Sequence, residues 1–192
     1  MALRCFIAVE IPDAMKEAVH EIIAELKKTG ADVKWVPAEN IHITLKFLGN
    51  TEEGLVDAIK EDLSKKLTAY HPFYIKISGI GYFPAKRPPR VIWVGIEESG
   101  DLLSLCEAVE SEVVRLGFIP EERPFSPHLT IGRVKSARRT PQLLEKIEKL
   151  RQLDFGSLEV KEASLMKSEL RPKGAEYHCL AKIPFGGRKH DE

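Results

Sequence analysis

The feature that most narrows the fold is an order of elements written twice along the chain: strand, helix, strand, helix, strand. "LRCFIAVEI" (Leu3 to Ile11) is β-rich, and from Asp13 to Lys28 the residues Met15, Val19, Ile22, Ile23 and Leu26 keep helical spacing until Gly30 closes the run. A strand "NIHITLKFLG" (Asn40 to Gly49), a polar helix from about Glu52 to Leu67 and an alternating strand "FYIKISGI" from Phe73 follow. After the proline-rich "FPAKRPPR" the order restarts with "VIWVGIE" (Val91 to Glu97), a helix over Leu102 to Leu116, Gly117 and the strand "SPHLTIGR". A helix from about Pro141 to Leu153 and a strand "SLEVKEASL" from Ser157 complete the second unit, and "EYHCLAKIPF" adds a last strand. Glu10 and Glu97 are 87 residues apart, as are Gly30 and Gly117, and His42 and His128 are 86 apart.

A duplicated unit commonly packs about a pseudo-twofold axis, which would set the two histidine strands facing each other across a cleft. We therefore expect one bilobal domain over 1–184, with repeats near 3–83 and 90–168, a final strand at 176–184 and a flexible tail over 185–192. Residue identity between the halves is slight, so two ordinary halves with coincidental spacing stay open as the alternative.

Lys plus Arg (29) equals Asp plus Glu (29), so no overall field draws the chain onto a nucleic-acid backbone, and any such contact must be local. Cys5, Cys106 and Cys179 are far apart and lack C-x-x-C spacing, which favours reduced thiols over a structural zinc site. The opening "MALRCFIAVEIPD" lacks the length and cleavage context of a signal peptide, and no stretch reaches the 18 or so apolar residues of a spanning helix. A cytoplasmic, monomeric protein without a membrane anchor is expected.

Within the two histidine strands the motif H-x-T recurs, at His42 and Thr44 and at His128 and Thr130, with apolar residues between. Strand geometry puts each His and Thr on one face, about 6.5 to 7 Å apart, while Ile41, Ile43 and Leu45 point to the other. That span suits a tetrahedral phosphate: a hydroxyl donates to a non-bridging oxygen while an imidazole reaches the attacking or departing oxygen. Two imidazoles that ordinarily titrate near about 6.5 can supply one base and one acid at neutral pH. Either histidine alone reads as well as a core residue donating to a carbonyl. No Asp, Glu or Cys sits at a ligand-like offset, so neither a metal nor another cofactor is expected.

Lys46 shares strand parity with His42 and Thr44 and is a candidate phosphate ligand. Strict alternation would bury Arg133 in the second unit, which is energetically backwards, so we expect a β-bulge at Gly132 that turns Arg133 to the cleft as a further phosphate ligand. Phe47 and Leu48 are assigned to the core, as are Trp35 and Trp93, although either tryptophan could stack on a base. The loop bearing Lys86, Arg87 and Arg90 could grip an RNA strand or be merely solvated. His20, His71, His178 and His190 lack such context and read as surface or packing residues.

Together "KWVPAENIHITLKFLG" (Lys34 to Gly49) and "FSPHLTIGRVK" (Phe125 to Lys135) resemble the two signature segments of the RNA 2′,3′-cyclic phosphodiesterases, also called 2′-5′ RNA ligases, among the two-histidine phosphoesterases. The resemblance extends to "RCFIAVEIP", "GIGYFP", "PRVIWVGI" and the late Ser168, Leu170, Gly174 and Tyr177. It implies an α+β fold of two pseudo-twofold lobes of antiparallel-rich sheet, helices outside and a central cleft. It also implies metal-independent opening of RNA 2′,3′-cyclic phosphate ends, tRNA fragments among them, to 2′-phosphates, with 2′-5′ joining as the reverse-type reaction. Carried over, His42 and His128 are acid and base, in that preferred order, and Thr44, Thr130 and Arg133 hold the phosphate. Leu129 and Ile131 depart from the pattern only in aliphatic type. A non-catalytic module that binds an RNA end or nucleotide in the same cleft is the competing reading.

Overall fold

The structure is a computed structural model that describes residues 2–85, 88–172 and 174–187. Lys86, Arg87 and His190, singled out above, lie outside the described residues.

Among the described residues, alternating apolar residues build nine strands: β1 (Ala2–Glu10), β2 (Val33–Trp35), β3 (His42–Glu52), β4 (Phe73–Phe83), β5 (Val91–Ile96), β6 (His128–Val134), β7 (Asp154–Val160), β8 (Glu162–Arg171) and β9 (Gly174–Pro184). The α-helices α1 (Asp13–Lys27), α2 (Glu53–Leu67), α3 (Gly100–Arg115) and α4 (Thr140–Lys149) join them. α1 buries Met15, Val19, Ile23 and Leu26, the stripe its spacing predicts. α3 begins two residues earlier than its periodicity because Ser99 caps it, its hydroxyl accepting from the Leu102 N–H at 3.2 Å. The strands form one antiparallel sheet in the order β7-β4-β5-β6-β3-β1-β8-β9, with β2 on β6. The α+β expectation of antiparallel lobes backed by helices therefore holds.

The spatial halves do not coincide with the sequence halves. β4, from the first repeat, pairs with β5 of the second, while β8, from the second, pairs with β1 of the first. Helices exchange likewise: α2 and α3 pack together behind β3, and α1 and α4 pack together behind β4 and β7. Each half of the sheet therefore depends on strands from both sequence repeats. The run "SLEVKEASL", expected as one strand, is divided at Lys161 between β7 and β8, which serve opposite halves. One residue spans only a few ångströms, so the sheet must curl until the β7 end meets the start of β8.

Across the middle, β6 and β3 are joined through one registered pair, Ile43 opposite Leu129, and both side chains are fully buried. The expected tail over 185–192 is corrected at its start. Phe185 stacks on Phe73 at 6.1 Å, its N–H donates to the Lys161 carbonyl at 2.9 Å, and His71 bonds the Gly187 carbonyl. No helix among the described residues is long and apolar enough to cross a membrane.

Shortening the seam should expose its weight. Ile43→Ala removes a fully buried side chain where the halves share their least pairing, and a loss of about 2–5 kcal/mol in denaturant unfolding is expected. A change below about 0.5 kcal/mol would show the seam is not a structural hinge point.

Candidate active site

The β3–β6 seam sets the site. With Ile43 facing Leu129 in antiparallel register, His42 falls opposite Thr130 and Thr44 opposite His128. The two histidines are thus diagonal neighbours, a relation that in a sheet separates residues by about 7–8 Å. Because Ile43, Leu129 and Ile131 point into the helix-backed core, the four polar side chains share the other face.

Each imidazole is held in the same way. His42 Nδ1 lies 2.8 Å from the Asn40 carbonyl oxygen, and His128 Nδ1 lies 2.7 Å from that of Ser126. A carbonyl only accepts, so both bonds place the neutral ring's proton on Nδ1 and leave Nε2 as the nitrogen available for chemistry. Asn40 is itself anchored, its side-chain amide donating to the Ala175 carbonyl at 2.7 Å.

The surroundings differ between the halves. His42 stacks on Phe6 at 4.8 Å and meets Tyr177 edge-on at 5.3 Å, whereas His128 meets Phe83 edge-on at 5.3 Å. Burial lowers the His42 pKa below the ordinary histidine value, partly opposed by the bond to Asn40 and by the Glu10 carboxylate. Glu10 lies opposite His42 in the β1–β3 ladder and accepts from the Ser164 hydroxyl at 2.7 Å. The residue opposite His128 is Gly95, not the Glu97 that the repeat spacing pairs with Glu10. Of the two histidines, His42 alone has a carboxylate registered across from it in these ladders.

Both histidine strands bulge at the third residue after the histidine. In β6, Thr130 pairs with Trp93 and Gly132 with Ile92, leaving Ile131 extra; in β3, Thr44 pairs with Ala8 and Lys46 with Ile7, leaving Leu45 extra. The β6 bulge falls at Ile131 and not at the expected Gly132; Arg133 is exposed, while Val134 packs against the core. Its counterpart in β3 overturns the expectation for Lys46. The Lys46 side chain points into the protein, 4% exposed, and its ammonium donates to Glu110 and to the Ile119 carbonyl at 2.8 Å. Lys46 is therefore no phosphate ligand. By the same shift Phe47, assigned to the core, is 63% exposed and touches Phe6, while Leu48 is buried as expected. Phe47 occupies in one half the position that Arg133 occupies in the other.

A family model for the 2'-5' RNA ligase superfamily matches residues 5–171. The chain belongs to that superfamily. It is 41% identical over 177 residues to the RNA 2',3'-cyclic phosphodiesterase of Methanothermobacter thermautotrophicus, covering 92% of this chain and 96% of that protein. To the protein of the same description from Archaeoglobus fulgidus it is 39% identical, covering 93% and 98%. Among solved structures, a Thermus thermophilus protein superposes with a TM-score of 0.80 at 28% identity, over 94% of this chain and 97% of that one. E. coli LigT complexed with 3'-AMP, 24% identical, shares the fold, with a TM-score of 0.78 over 97% of this chain and 100% of LigT.

In this superfamily member several site neighbours escaped the sequence reading. Phe6, Ala8 and Glu10 alternate on β1, and that parity could have placed them beside the histidines; Phe83 and Tyr177 reach the site only through sheet pairing. Trp93, assigned to the core, is half-buried opposite Thr130, where its ring covers Gly81 so closely that a Cβ there would lie 2.3 Å from it. Trp35 does pack against the core beside Gly132. Among the described residues one group has the proximity of metal ligands, Glu169, Glu176 and His178, but Lys167 and Arg171 already pair with Glu169 at 2.6 Å.

Two measurements check this geometry. By NMR, His42 should titrate below the ordinary value of about 6.5 in the free protein and move upward when inorganic phosphate is added, since an anion favours the imidazolium. Lys46→Met should cost about 2 kcal/mol of stability, less than a fully buried pair because Glu110 keeps some solvent, with phosphate affinity unchanged. Weakened phosphate binding with intact stability would restore Lys46 to the site.

Proposed function

We propose that this protein opens the 2′,3′-cyclic phosphate ends of RNA to 2′-phosphates by paired histidine acid–base catalysis. The observation that carries the reading is the matched pair of Nδ1–carbonyl bonds, which leaves two imidazole Nε2 atoms beside two threonines on one face. In-line displacement at phosphorus needs groups on opposite sides of it, and diagonal histidines provide them. Water attacks phosphorus and gives its proton to the base; the bond from phosphorus to the ribose 3′-oxygen breaks, and that oxygen takes a proton from the acid. The products are a 2′-phosphate and a 3′-hydroxyl.

The unlike neighbours support an assignment of roles. Burial holds the His42 pKa low in the free protein, so the reading of His42 as acid leans on the Glu10 carboxylate and on a bound phosphate anion, both of which favour an imidazolium there. His128, with Gly95 rather than a carboxylate across from it, serves as base. Thr44 and Thr130 hydroxyls donate to the non-bridging oxygens, and Arg133 offsets the charge that builds on them. With the 5′-hydroxyl of a second RNA in place of water, the same steps form a 2′-5′ bond. The reading takes cytoplasmic RNA ends, tRNA fragments included, as substrates and a monomer as the working unit. It is supported by the activity for which the Methanothermobacter and Archaeoglobus relatives are named.

The test is turnover of a short RNA ending in a 2′,3′-cyclic phosphate, with a chelator present and the product phosphate mapped. Wild type should yield the 2′-phosphate at a rate the chelator does not change, and His42→Ala and His128→Ala should each lose about 10²–10⁴-fold. Loss of wild-type activity on chelation would point to a metal hydrolase. RNA bound by wild type without turnover would favour the binding module.

A further inference from the structure

Two adjoining cavities share Phe47 and Gly49 in their walls. The smaller, about 140 Å³, lies among Arg4, Phe6, Ser168 and Tyr177, and so begins at the rings that enclose the His42 imidazole. The larger, about 540 Å³, continues beyond Phe47 between the end of β3, Leu55 of α2 and the Leu116–Ile119 turn after α3. Its rim carries two large apolar side chains in solvent, Phe47 at 63% and Ile119 at 84% exposure.

The far wall is fastened to the strand that bears His42. Gly117 ends α3 with φ +94, and the turn that follows is tied down by Lys46, whose ammonium donates to the Ile119 carbonyl and to Glu110. Glu110 in turn accepts from the Glu121 N–H at 2.7 Å. An ion pair with its lysine buried is a costly way to hold an exposed turn, and Phe118 and Ile119 of that turn line the open groove with Phe47.

We propose that this groove is a subsite for the nucleotide that precedes the cyclic-phosphate end, so that the enzyme selects a polynucleotide over a single nucleotide. The inference rests on the phosphodiesterase reading above. A nucleobase is flat, and it stacks on aromatic rings without regard to sequence; Phe47 offers such a ring between the two cavities. Arg4, exposed and on the same strand face as Phe6, puts a positive charge at the smaller cavity, where the phosphodiester joining the last two nucleotides would cross. The groove runs on from the site that holds the reacting phosphate, as a bound chain must. A cyclic mononucleotide ends before it reaches Ile119.

The experiment compares kcat/KM for 2′,3′-cyclic AMP and for a tetranucleotide ending in a 2′,3′-cyclic phosphate. Wild type should favour the tetranucleotide by about tenfold, the worth of one stacked base. Ile119→Asp, which puts a negative charge on the rim, should remove most of that preference while 2′,3′-cyclic AMP turnover stays within about twofold of wild type. Arg4→Glu should cut the tetranucleotide more than the mononucleotide. Equal wild-type use of both substrates, or a preference that survives Ile119→Asp, would overturn the subsite while leaving the phosphodiesterase reading intact. Failure of wild type to turn over either substrate would overturn both.

Discussion

Side chains alternate across a strand, so burying Ile43 against Leu129 at the centre of the sheet commits their neighbours to the opposite face. His42, Thr44, His128 and Thr130 are thereby assembled by the packing of residues that never touch a phosphate. A slip of one residue by either strand would turn that strand's motif into the core. The exchange of β4 and β8 between halves resists such a slip, because each histidine strand has its outer flank built from both sequence repeats. The Nδ1–carbonyl bonds then finish locally what the register begins globally, fixing which nitrogen faces the substrate.

A near-twofold arrangement offers two equivalent imidazoles, but catalysis needs an acid and a base. The differences between the halves therefore matter more than the likeness. Glu10 faces His42 where Gly95 faces His128, and Phe47 stands where Arg133 stands across the axis. One half is aromatic and enclosed, suited to nucleoside and base; the other offers a guanidinium suited to phosphate. In the proposed mechanism that contrast sets the substrate's direction, with the departing ribose oxygen on the His42 side.

The order of elements, the strand face of each H-x-T pair and a bulge ahead of Arg133, at Ile131 rather than at Gly132, were legible because periodicity and the cost of burying a charge act within a few residues. The matching bulge in β3 was not. Simple alternation gives Lys46 the parity of His42, and nothing local forbids it; only Glu110 on α3 and the Ile119 carbonyl, both far along the chain, supply the partners that make its burial tolerable. Phe47 moved outward as a consequence. Spacing alone paired Glu10 with Glu97, yet the ladder pairs Glu10's place with Gly95, because register depends on bulges that spacing does not record. The exchange of strands, and with it Tyr177 and Phe83 beside the histidines, is likewise a matter of sheet order. Phe185 reads as the start of a loose tail until its contacts with Phe73 and Lys161, distant in sequence, are known.

The central claim is that two imidazoles work on one phosphorus, one neutral and one protonated. The dependence of kcat/KM on pH for a cyclic-phosphate RNA, measured for wild type and for each histidine variant, addresses it most directly. Wild type should give a bell, with the alkaline limb abolished in residual His42→Ala activity and the acid limb abolished in His128→Ala. A bell that survives intact in either variant, or the same limb lost from both, would contradict it.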